Sequence, residues 1–193
     1  MKRRLSRWLL VSAVLVATAG ALVAQRPRVI ALAPGDEAPQ LLGYDLKQKV
    51  LEVPYEGLTL VNFWSTWCEP CRMEMPALAS IYNKRGRDGL QIVGVVQSDQ
   101  APDDEIAVYL DDLGVSYPVL RLHPRFAKPW RGVSVVPTSF LVNDEGRIMR
   151  RYSGALPEQV EGMIRDMHDA LDGKSLAPQV IPKPPDEEAT AGG

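Results

Sequence analysis

Sulfur is scarce in this chain. Cys68 and Cys71 are the only cysteines among 193 residues, too few for a framework of several disulfides. Imidazoles are as rare, with His123 and His168 alone, so a site built from several histidines is excluded. Beyond the first residues there is no lysine- or arginine-rich stripe, and 22 basic residues stand against 24 acidic ones. Such a surface cannot neutralise a run of phosphates, which argues against nucleic acid as a partner. No internal repeat occurs either, and that leaves out solenoid architectures.

What is present suffices for one ordinary core. Apolar residues make up 46% of the chain, a usual share for a globular protein. With both ends set aside, about 140 residues are left to fold, and we place the domain at residues 35–171. Residues 1–28 stand apart. Four positive charges in MKRRLSR precede the uncharged run WLLVSAVLVATAGALVA, the pattern of a membrane anchor or of a secretory signal. Ala19-Gly20-Ala21 suits cleavage; the length of the run and Trp8 at its border suit a retained anchor, which is the preferred reading. Either way the charges stay cytoplasmic and the domain is delivered to the extracytoplasmic, periplasmic side. Residues 29–34 read as a linker. The stretch 172–193, with its proline, acidic and small residues, is expected to be disordered.

Within the domain, LLGYDL and KVLEV read as a short antiparallel pair. LTLVNFW and LQIVGVVQ are dense apolar runs, expected as central strands buried on both faces. The pattern predicts helices from about Cys68 to Arg87, from Asp103 to Leu113 and from Leu156 to Leu171. YPVL reads as a brief strand and HPRFAKPWRGV as irregular. TSFLV and RIMRRY flank Asn143-Asp144-Glu145-Gly146 as a hairpin. The alternation is that of an α/β domain: a central mixed sheet flanked by helices.

Both cysteines lie in NFWSTWCEPCRMEMP, between a buried strand and a helix. A structural bridge across so short a loop contributes only about 2 kcal/mol in the chain-entropy model, and a domain of this size does not need it. A pair that is made and broken fits better. Cys68 at the helix mouth meets free N–H groups and the positive end of the dipole, which favour a thiolate. Cys71, one turn further in, is placed to close the ring and release product. Cys68 is thus the expected nucleophile and Cys71 the resolving thiol.

FWSTWCEPC together with the later Val136-Pro137-Thr138 resembles the thioredoxin fold. Within it the chain is similar to the TlpA-like and ResA-like membrane-tethered thiol–disulfide oxidoreductases, relatives of the DsbE proteins of cytochrome c maturation. The resemblance spans roughly residues 35–171 and implies an N-terminal β-hairpin and an inserted helix ahead of a cis-proline hairpin. It further implies that Pro137 is the cis-proline beside the active-site disulfide. Val136 would then offer backbone groups to a substrate strand, and Trp67 would shield the disulfide. Pro76 matches the proline that kinks the helix.

Glu74 lies three residues after Cys71, at the margin of the apolar stripe Cys71, Met75, Leu78 and Tyr82. It matches the glutamate that ResA-like proteins use to handle protons, and partial burial there would raise its pKa. Thioredoxins of the cytoplasm have a buried aspartate six residues before the first cysteine. Asn62 stands there in this chain and cannot relay a proton, which leaves Glu74 as the acid–base group.

Glu69-Pro70 fills the space between the cysteines. A negative charge beside the Cys68 thiolate disfavours the reduced form and makes the chain a better reductant, and Glu-Pro matches ResA-like reductants. The expected activity is therefore reduction of a disulfide in a client protein, with the apocytochrome c haem-attachment pair as the first guess. The resemblance also implies electrons supplied by a membrane thiol carrier. No cofactor beyond the Cys68–Cys71 disulfide is called for, and no metal. Oxidase or isomerase activity stays open. So does copper binding by the two thiolates, for which His123 is a conceivable further ligand. HPRFAKPWRG, through Arg125 and Trp130, is expected to wall the client groove; Arg72 and Met73 are expected to be exposed, with Met73 open to contact with a partner.

Overall fold

The computed structural model describes residues 31–130, 133–177 and 179. The expected anchor or signal, residues 1–28, lies outside the described residues, as do residues 180–193. Among the described residues no helix is long and apolar enough to cross a membrane.

Seven strands form one sheet: β1 (Leu41–Asp45), β2 (Val50–Val53), β3 (Leu58–Trp64), β4 (Leu90–Val96), β5 (Val119–Leu122), β6 (Thr138–Val142) and β7 (Ile148–Ser153). Their spatial order is β2-β1-β5-β4-β3-β6-β7. Every residue of β3 is buried, as its uninterrupted apolar run predicts for a strand covered on both sides. It pairs in parallel with β4 and antiparallel with β6. A parallel pair needs a crossover, supplied by helix α1 (Glu69–Arg85) and a 3-10 turn at Gly86–Asp88. Helix α2 (Asp103–Asp112), the single turn α3 (Pro124–Ala127) and helix α4 (Pro157–Leu171) complete the domain. In the β6–β7 hairpin, Asn143 Oδ1 accepts from the N–H groups of Glu145 and Arg147 at 3.2 and 2.8 Å. Gly146 there adopts φ 74°, which a side chain would resist.

Alternation along the strands divides the interior in two. Leu60, Trp64, Ile92 and Val96 face one side, packed with Met75 and Leu78 of α1, Ile106 and Leu110 of α2, and Met163 and Met167 of α4. Val61, Phe63, Val93, Val95 and Phe140 face the other. That second layer is closed by Ala38 and Trp130 rather than by a long helix. Trp130 is only 3% exposed, with its ring 5.1 Å from Phe63 and 5.3 Å from Phe140. The expectation that it walls a client groove is thereby corrected: the largest apolar ring of that segment is taken up by the core. Arg125 is exposed on α3.

Part of the tail expected to be disordered from residue 172 lies against the domain, through residues up to 177 and residue 179. Leu176 packs on the α1-side core. Arg150 donates to the Ala177 carbonyl. The Gln179 amide accepts from Arg151 N–H at 2.9 Å and donates to the Arg151 carbonyl at 2.5 Å.

Candidate active site

The C-terminal ends of the parallel strands β3 and β4 lie side by side, so the loops that follow them meet. Ser65-Thr66-Trp67 leads from β3 to Cys68, which is the N-cap of α1. The sulfur of Cys68 accepts the Cys71 N–H at 3.2 Å, one of the donors a helix start leaves free. Pro70 stands in the first turn, where its missing N–H costs nothing. Pro76 lies inside the helix. Cys68 and Cys71 form a disulfide with their Cα atoms 5.3 Å apart. Cys71 is completely buried and Cys68 is 4% exposed. Glu69 and Arg72 are exposed and stand 3.9 Å apart as a loose ion pair; Met73 is exposed beside them.

The Val136–Pro137 peptide is cis. Thr138 opens β6 opposite Phe63, and its buried hydroxyl donates to the Val135 carbonyl at 2.8 Å. A groove of about 220 Å³ runs between the two loops, lined by Trp67, Gln97, Ser98 and residues 133–136. Trp67 is 65% exposed, and its indole N–H reaches the Ser98 carbonyl at 3.3 Å. Its ring forms an open wall of the groove.

Glu74 lies deeper than the margin position its sequence spacing predicts, at 2% exposure. The reason is the amide at position 62. Asn62 is wholly buried on β3, and its Nδ2 donates to Glu74 Oε1 at 2.7 Å and to Ser139 Oγ at 2.9 Å. Burial pushes the Glu74 carboxyl up to about 7, against the smaller lowering from the Asn62 hydrogen bond. A carboxyl one helical turn from Cys71 that changes protonation near neutrality is suited to general acid–base work.

The sequence reading missed a second set of contacts. Asp99 Oδ2 accepts both the backbone N–H and the hydroxyl of Thr66, at 2.5 and 2.7 Å, and Oδ1 accepts Ala101 N–H at 2.9 Å. Arg121 on β5 fixes that loop in turn, donating to the Asp99 and Ala101 carbonyls at 2.8 and 2.6 Å and to Asp103 at 2.8 Å. Burial pushes the Asp99 carboxyl up, but its N–H and hydroxyl donors and nearby Arg121 hold it below its usual value. Ser98 adopts φ 49° and presents its carbonyl to Trp67. The available signal was topological: two parallel neighbours with buried runs must bring their following loops together.

Each histidine is engaged through Nδ1. His123 Nδ1 accepts Arg125 N–H at 3.3 Å and its ring packs near Tyr44 and Phe126. His168 Nδ1 stands 2.7 Å from Arg85 Nη1 at the far end of α1. Among the described residues no group of three or more His, Cys, Asp or Glu side chains is placed to hold a metal ion.

The chain thus combines a buried CxxC disulfide at a helix mouth with a cis X-Pro peptide. Residues 33–171 match the Redoxin family model. The chain belongs to the Redoxin family. It is 34% identical over 140 residues to the thiol-disulfide oxidoreductase ResA of Bacillus subtilis, covering 70% of this chain and 74% of that one. It is 35% identical over 132 residues to the thiol:disulfide interchange protein HelX of Rhodobacter capsulatus, covering 65% and 71%. The solution structure of a thiol:disulfide interchange protein from Bacteroides sp. superposes with a TM-score of 0.61 at 25% identity, over 75% of this chain and 93% of that one. This Redoxin member is a thiol–disulfide oxidoreductase of the ResA and HelX type with a thioredoxin-like fold.

Proposed function

We propose that this Redoxin member works as a reductase of protein disulfides outside the cytoplasm. The observation behind this reading is the carboxyl of Glu74, buried one turn from Cys71 and protonatable near neutral pH. In the reduced protein the Cys68 thiolate attacks one sulfur of the client disulfide, and the other client sulfur leaves as a thiolate. Glu74 takes the proton from Cys71, whose sulfur then attacks Cys68 Sγ. The second client sulfur departs, and the Cys68–Cys71 disulfide of this structure is regenerated. Two electrons have passed to the client, and a membrane thiol carrier returns them.

The surroundings are assigned roles to match. Glu69, paired only loosely with Arg72, leaves negative charge beside Cys68 and lowers the potential. Pro70 starts the helix. Trp67 and Val136 border the groove, Pro137 stands beside the disulfide, and Thr138 pins the turn. The backbone at Val136 receives an extended client segment. The apocytochrome c haem-attachment pair is the first client to try, and the uncharged run before residue 25 is assigned as the anchor that holds the domain at the membrane. No cofactor besides the disulfide is required.

Trapping with Cys71→Ser tests the assignment. A mixed disulfide between Cys68 and a membrane-side client, together with a reduction potential below that of glutathione, is the expected result. A potential in the range of strong oxidants such as DsbA, at about −120 mV, would reverse the proposed direction of electron flow.

A further inference from the structure

The interior on the α1 side contains a polar region beyond the roles just assigned. Asn62 and Gly94 are register partners in the parallel β3–β4 pair, so both present to the same face of the sheet. From that face Asn62 holds Glu74. Gly94 has no side chain, and its neighbours close over the space. A methyl group on Gly94 would sit 2.9 Å from Trp64 Nε1 and 3.4 Å from Tyr117 Cε2. Tyr109 of α2 stacks on Trp64 with ring centroids 5.8 Å apart. These four residues each bear one buried polar atom without a hydrogen-bond partner among the described residues: Asn62 Oδ1, Trp64 Nε1, Tyr109 Oη and Tyr117 Oη. Buried polar atoms are almost always satisfied, and water is the usual partner where protein supplies none. Four in one neighbourhood, mixing acceptor, donor and hydroxyl, suit a small water cluster.

We propose that Asn62, Trp64, Tyr109 and Tyr117 bind water beside Glu74, and that Tyr117 is a positioning residue through which the Glu74 proton reaches solvent. The assignment rests on the reductase reading for its purpose. When Cys71 attacks Cys68 Sγ, its proton passes to the Glu74 carboxylate; the water then accepts that proton and hands it outward, with no change in electron count. The Tyr109 side chain, only half-buried, marks the exit. Glu74 and Tyr109 act electrostatically on Tyr117, while Arg72, Glu69 and Asp99 act on Tyr109. Cys71 is the titratable neighbour on α1 itself.

The test uses the full chain and two readouts: water cross-relaxation at the Trp64 indole proton by NMR, and the pH profile of disulfide exchange with a dithiol. A long-lived water signal is expected in the wild type. Tyr117→Phe, which keeps the ring contact with Tyr82 at 6.0 Å, should weaken that signal, displace the profile and slow exchange about fivefold near neutrality. Tyr82→Phe should leave both readouts unchanged. Absence of a water signal at Trp64 overturns the site, and a wild-type profile in Tyr117→Phe overturns the relay. A chain that shows the water but exchanges no disulfide refutes the reductase reading and the relay with it, and leaves the water site standing.

Discussion

At its C-terminal end, helix α1 meets solvent with Arg85 held between two carboxylates, Asp88 and Asp172, each at 2.8 Å. Lys174 adds ion pairs to Asp169 and Asp172. The Arg85 hydrogen bond holds Asp172 below the usual carboxylate range. At the N-terminal end the treatment is opposite. Glu74 is out of water, receives one neutral amide donor, and is raised to about 7. Charge that is fully compensated contributes to holding α1, α4 and the tail together. Charge left with a single weak partner stays able to change, and it lies one turn from the sulfur that must gain and lose a proton. The difference separates scaffold from chemistry along a single helix.

The sharpest way to break this contrast is Cys68→Ser, which should lower dithiol-dependent turnover by a thousandfold or more, on the order seen for lost nucleophiles, with the fold intact by circular dichroism. Turnover that persists would place the chemistry elsewhere. Glu74→Gln comes next. Because the folded carboxyl is raised above its unfolded value of 4.5 toward about 7, the contribution of Glu74 to stability is fullest below pH 4.5 and is lost as pH rises through 7. That loss is on the order of 3 kcal/mol. The glutamine variant should lack this slope, and urea unfolding of the oxidised protein between pH 4 and 8 measures it. A parallel slope in both proteins would show that Glu74 is not the raised group.

Asp99→Ala removes two hydrogen bonds to the loop before Cys68 and one within its own loop, and should cost about 2 kcal/mol. It should also move the reduction potential, read by equilibration with glutathione. A potential equal to wild type would make Asp99 a purely structural anchor. The smallest effect is expected from Arg85→Ala. Its carboxylate partners are exposed, and surface pairs contribute little, so the pH profile of exchange should stay that of the wild type.

Much of this was legible in advance because it follows from local pattern. The unbroken run at β3, the cysteine at a helix mouth and the Asn143–Gly146 turn each dictate their geometry within a few residues. Glu74 was identified, but its depth was not, since depth depends on Asn62 and Ser139 approaching from two other strands. Sequence comparison with cytoplasmic thioredoxins marked Asn62 as the residue that lacks an acid; the fold shows it holding one. Trp130 was misplaced for the same kind of reason. Its basic neighbours suggested surface, and only the positions of Phe63 and Phe140 across the sheet reveal an aromatic layer awaiting a third ring. Asp99 left no local mark at all, as its partner Thr66 is 33 residues away.

The side chain of Gln179 has a consequence for how the molecule behaves in company. Its amide meets both main-chain groups of Arg151, on the outermost strand of the sheet, where an unpaired margin otherwise templates the addition of foreign strands. One glutamine thus imitates a short piece of neighbouring backbone and ends the ladder. Along β7 that pair of main-chain groups is thereby closed to an added strand.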